Sequence, residues 1–150
     1  DGPAMSAAGI EPSLGTDSNA RISMLEEMRW MELGQRLRSG RRGVFRDAGG
    51  TVAPRLLRAA TERGAAALGI PAGAIRPGML ADLMTIDLNH PAIAGIPAGE
   101  LDAALIFGAG DEVIEATAVG GRWRPRRDHR APTDAADAAA ASIAPMTGSP

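Results

Sequence analysis

The chain has 150 residues, enough for one ordinary domain or one piece of a larger one. Aromatic residues make up 3% and tyrosine is absent, so Leu, Ile, Val, Met and Ala must build the core. A formal net charge of -2 argues against a nucleic-acid or membrane-binding field, and the absence of cysteine excludes disulfides and thiolate metal sites within this chain. No apolar run approaches the ~20 residues of a membrane-spanning helix. Residues 1–9 have no basic stretch ahead of an apolar run, so they do not read as a signal peptide. With no initiator methionine, the chain reads as beginning inside a longer protein, and a cytoplasmic location is the expectation.

In chain order, residues 1–9 read as the end of a helix or a loop, and residues 10–16 as a short strand ending at Asp17. Ser23-Met-Leu-Glu26 has the pattern of a capping box, in which a serine hydroxyl and a glutamate satisfy free amides at a helix start. A helix is predicted over 24–38, with Leu25, Met28 and Met31 on one face, Gly40 closing it and arginines crowding its C-terminal end. Asp47-Ala-Gly-Gly50 is a loop. A second helix is predicted over 52–68, with Pro54 in its first turn, Gly69 as its cap and Leu57, Ala60, Gly64 and Leu68 as its inner stripe.

From residue 70 the period changes. Residues 82–87, 105–107, 113–119 and 122–124 read as strands, and Gly120-Gly121 as the turn of a hairpin joining the last two. Residues 131–150 are rich in Ala, Pro, Ser, Thr and Asp, the composition of a disordered tail.

A carboxylate directly after a strand, at the start of a loop, has two readings. It caps a turn, as Asp commonly does. Alternatively, it stands on the catalytic face of a parallel α/β architecture, where strand ends offer side chains to a shared pocket.

The stretch LGTDSNARISMLEEMRWMELGQRLR (14–38) resembles the last barrel strand and following helix of the amidohydrolase superfamily, in particular its formimidoylglutamate deiminase branch. LRAATERGAAALGI (57–70) resembles the final barrel helix. GAIRPGMLADLMTIDLNHPAIAG (73–95) and LDAALIFGAGDEVIEATAVGGRW (101–123) resemble segments of the small β-sandwich. The likeness covers about residues 10–130. One departure is Leu33, where the branch has an aromatic residue.

The resemblance implies an α/β plus β architecture: the last strand and helices of a TIM (β/α)8 barrel within 1–69, part of a β-sandwich within 70–130, and the tail at 131–150. It implies that Asp17 is both metal ligand and catalytic group, binding a zinc ion, taking a proton from the attacking water and passing it to the leaving group. The implied reaction is hydrolysis of N-formimino-L-glutamate to N-formyl-L-glutamate and ammonia, in histidine breakdown, by an enzyme that is a homodimer when full length. The partner is a small-molecule substrate, with neither nucleic acid nor membrane involved. Two alternatives stay open: a related deaminase or chlorohydrolase acting on a heterocycle, and a non-catalytic β-rich module in which Asp17 only shapes a turn. The family's H-x-H pair is absent from this chain. One aspartate cannot form a catalytic zinc site, which takes three protein ligands.

Other polar residues have simpler readings. Ser18 and Asn19 are turn formers that could also line a pocket. Glu26, Glu27 and Glu32 with Arg29 and Arg36 read as surface pairs and a cap at helical spacing. His90, in Asn-His-Pro, reads as structural. His129 and the Arg122, Arg124, Arg126, Arg127 and Arg130 cluster around Trp123 read as solvated surface.

Overall fold

The computed structural model describes residues 2–125. His129, Arg126, Arg127, Arg130 and the predicted tail at 131–150 lie outside the described residues. The elements are α1 (Gly2–Ala7), α2 (Met24–Ser39), α3 (Ala53–Ala60), α4 (Glu62–Ala67), β1 (Leu83–Ile86), α5 (Leu101–Phe107), β2 (Ile114–Val119) and β3 (Arg122–Pro125), with 3-10 turns at Ala98–Glu100 and Asp111–Val113.

The long helix begins where the capping pattern places it. Ser23 Oγ accepts the Glu26 amide at 3.2 Å and donates to Asp111 Oδ1 at 2.8 Å, so one hydroxyl caps α2 and ties it to the turn before β2. Gly40 ends the helix in the left-handed region, at φ 66°, with its amide on the Arg36 carbonyl. Leu25 and Met28 are buried in one cluster with Phe45, Ala53, Leu56 and Ile106, and Met31 packs against it.

The helix expected over 52–68 is two helices. Thr61 breaks it at φ -119° and ψ -90°, and its hydroxyl donates to the Leu57 carbonyl at 2.7 Å. A threonine hydroxyl that bonds a carbonyl of the preceding turn competes with the helical ladder. The break is also where another segment crosses: a Cβ on Gly73 would stand 2.6 Å from the Thr61 carbonyl group, so only glycine allows this approach. The buried face is Ala53, Leu56 and Ala59, one position off the expected stripe. Leu57 and Ala60 are half-buried, and Leu68 is exposed.

The predicted strands over 82–87, 113–119 and 122–124 form a three-stranded antiparallel sheet in the order β1-β2-β3. Leu83 pairs with Ala118 and Val119 with Arg122, and a register shift falls between Thr85 and Ile86. Gly120 and Gly121 have φ of 55° and 75°, the two positive values a tight two-residue hairpin turn requires.

Two expected strands are not strands. Residues 105–107 belong to α5. Leu105 and Ile106 are buried on adjacent sides, one in a cluster with Ile93, Ala109 and Val113 and the other in the main core. A three-residue apolar run carries no period, and here helical packing against two clusters decided it. Residues 10–16 have no strand assignment, because a ladder needs a neighbour and none lies alongside them among the described residues.

The charged residues of α2 depart furthest from expectation. Glu32, read as a surface residue, has 0% exposure. Its Oε1 accepts the Gly43 amide at 2.8 Å and the Val44 amide at 3.2 Å, and its Oε2 the Phe45 amide at 3.0 Å. Arg36 Nε donates to Oε1 at 2.8 Å. Burial raises the Glu32 pKa, but these four donors outweigh it and hold the carboxyl below its usual range. Arg29, also read as surface, donates to the carbonyls of Ile106 (2.7 Å) and Ala109 at the C-terminal end of α5. It satisfies acceptors that a helix end leaves free.

Glu32→Ala is expected to strand three backbone amides, the buried one of Phe45 and the partly buried ones of Gly43 and Val44, a loss of about 3 kcal/mol or roughly 10²-fold in local opening. Hydrogen exchange at Gly43, Val44 and Phe45 in the complete protein measures it. Because the folded pKa lies below the unfolded one, the stabilisation is present above the ordinary glutamate range and is lost as pH falls through the folded value. Protection of these amides, corrected for intrinsic exchange, should fall in that acidic window.

Candidate metal centre

Asp17 ends the irregular segment that follows α1. Leu14 anchors that segment on the main core, and Glu11 pairs with Arg55 at 3.6 Å and Arg63 at 4.0 Å. The chain then turns sharply, the Asn19 amide donating to the Thr16 carbonyl at 2.8 Å. Within that turn Asp17 takes φ 44°, and it is the one non-glycine residue with positive φ among the described residues. Asp tolerates this region better than most side chains, yet it still costs energy, so the turn must be held from outside.

It is held by α2. The Asn19 side-chain amide donates to Glu27 Oε1, and Arg21 Nε meets Glu26 Oε2 at 3.1 Å. Trp30 Nε1 donates to Glu26 Oε1 at 3.3 Å. Asn19, Arg21, Glu26 and Trp30 line a cleft of about 310 Å³ beside the loop. The Asp17 carboxylate is exposed rather than enclosed in an apolar cluster. Ser18 is exposed beside it.

The donor set fits a metal only in part. Asp17 offers the hard oxygen donor that zinc accepts. Among the described residues, however, no three His, Cys, Asp or Glu side chains are grouped to hold an ion. His90 does not join Asp17: its Nδ1 accepts the Ala92 amide at 3.3 Å in the turn after β1, the structural role expected of it. Arg122 and Arg124 are exposed on β3. No described helix is long and apolar enough to cross a membrane.

Residues 2–124 match the Amidohydrolase family. The formimidoylglutamate deiminase of Pseudomonas aeruginosa is 38% identical over 118 residues, covering 78% of this chain and 26% of that protein. A 5-methylthioadenosine/S-adenosylhomocysteine deaminase of Thermococcus onnurineus is 35% identical over 118 residues, covering 77% of this chain and 26% of that protein. The chain thus spans about a quarter of the length of these relatives. Among solved structures, an adenosine deaminase from Xanthomonas campestris with bound zinc superposes with a TM-score of 0.71 at 26% identity, over 94% of this chain and 31% of that one. An atrazine chlorohydrolase from Arthrobacter aurescens, complexed with zinc, shares the fold with a TM-score of 0.68 at 22% identity, over 95% of this chain and 31% of that one.

If the turn holds Asp17 for its carboxylate and not for packing, Asp17→Gly should relieve the left-handed backbone at no structural loss. Its thermal stability in the metal-free complete protein, where no metal contact is lost, should lie within about 1 kcal/mol of the parent or above it. A loss well beyond that would mean that the side chain is a packing element.

Proposed function

The chain belongs to the amidohydrolase family, and from that premise we propose that it is the C-terminal part of a zinc-dependent deiminase hydrolysing N-formimino-L-glutamate. On this reading residues 1–69 close a (β/α)8 barrel and residues 70–130 contribute to a β-sandwich. The observation that carries it is Asp17: an exposed carboxylate on a left-handed turn that α2 holds in place. The identity with the Pseudomonas aeruginosa deiminase supports the substrate.

Asp17 would hold zinc through a carboxylate oxygen, together with ligands from elsewhere in the protein. When bound, the metal supplies a Lewis acid and lowers the pKa of water to ~7. Asp17 does the proton work. Its free carboxylate oxygen accepts a proton from water as the water oxygen bonds to the formimino carbon. It returns that proton to the formimino nitrogen, then carries the added hydroxyl's remaining proton to the same nitrogen as the C–N bond breaks, so that the nitrogen leaves as ammonia and the oxygen stays as the formyl carbonyl. One water is consumed, and N-formyl-L-glutamate and ammonia leave. A turn fixed on a helix keeps the oxygen in reach through both transfers.

A second reading, deamination of a heterocycle, is favoured by the 35% identity with the methylthioadenosine deaminase. Ammonia release by the complete protein from N-formimino-L-glutamate and from 5′-methylthioadenosine, side by side, separates the two. Turnover of the first and not the second is expected. For the same enzyme, Asp17→Asn should cut turnover at least ~10²-fold while the fold stays intact, because Asn has nearly the same size and tolerates the same backbone. Near-parental turnover in that variant would reduce Asp17 to a turn residue.

A further inference from the structure

We propose that Glu27 is a positioning residue, acting through Asn19 to hold the Asp17 turn in register. This rests on the assignment of Asp17 above. Asp17 occupies an unfavourable left-handed backbone, and the turn bond from the Asn19 amide to the Thr16 carbonyl closes around it. The Asn19 side chain then donates to Glu27 Oε1, eight residues on, in the first turns of α2. Asn19 therefore bonds twice, through its backbone to the residue before Asp17 and through its side chain to the helix.

The anchor is rigid. α2 is pinned at its start by Ser23 and Asp111, in its middle by Arg29 on the α5 carbonyls, and toward its end by the buried Glu32. Glu27 itself is half-buried on that helix. Arg21 on Glu26 ties down the far side of the same loop, so two neighbouring glutamates hold residues 19 and 21. Such partly exposed contacts add little to global stability. Their effect is geometric: a reacting group that drifts by about 1 Å can lose up to ~10²-fold in rate.

The test uses the complete enzyme with N-formimino-L-glutamate. Glu27→Ala should lower kcat about 10-fold with KM within about twofold, and leave the melting temperature unchanged. Glu27→Gln keeps an oxygen acceptor for Asn19 and should restore most of the rate. Asn19→Ala should match Glu27→Ala, and the double variant should be no slower than either single, as for two members of one contact. A second readout needs neither metal nor turnover: in the metal-free enzyme, Glu27→Ala should speed hydrogen exchange across residues 17–22 and leave residues 43–45 unaffected. Parental kcat and exchange in Glu27→Ala, or equal loss in Glu27→Gln, or additive losses in the double variant, would each overturn the proposal. If the parent enzyme releases no ammonia from this substrate, or Asp17→Asn keeps its rate, the functional assignment fails instead. The exchange result would then still report on the brace alone.

Discussion

A buried carboxylate accepting three backbone amides organises the helical part of this molecule. Glu32 sits where an amphipathic helix would carry a leucine, and its charge is met by Gly43, Val44, Phe45 and Arg36. The reversal after α2 is fixed by this contact, and it delivers Phe45 into the main core. A lone ionised group in that position would be costly, whereas four donors make the burial tolerable. α2 becomes a fixed bar that other elements hang from: the turn before β2 through Ser23, α5 through Arg29, and the Asp17 loop through Glu26 and Glu27.

That arrangement explains how a strained turn persists on an exposed loop. The left-handed backbone at Asp17 is unfavourable locally, and the loop has no sheet to lie in among the described residues. Polar contacts to a rigid helix supply the constraint. They place a carboxylate in the open, and among the described residues no three His, Cys, Asp or Glu side chains are grouped to hold an ion. In the function proposed here, the remaining ligands come from parts of the protein that this chain does not include.

Local signals were the most legible in the sequence. Ser23 and Gly40 marked the ends of α2 because capping is set by a few neighbouring residues. Gly120-Gly121 marked the hairpin because few residues adopt two successive positive φ values. Signals that depend on distant partners were not legible. The run Leu105-Ile-Phe107 fits a strand or a helix, and contacts with Ile93, Val113 and Leu56 decide between them. The break at Thr61 coincides with the close approach of Gly73, twelve residues later, a contact no local pattern announces. Glu32 did leave a trace, since it lies seven residues after Leu25 and four after Met28, on the buried stripe. Around Asp17 the turn was readable, but not the side-chain ties of Asn19 and Arg21 to α2.

If Asp17 binds the catalytic metal, as proposed, the position of that metal in the complete protein will show it. A crystal structure of the complete protein, with zinc placed by its anomalous scattering, should put an Asp17 carboxylate oxygen about 2.0–2.2 Å from the ion. A zinc ion fully coordinated by other residues, with Asp17 turned away from it, would rule Asp17 out as a metal ligand.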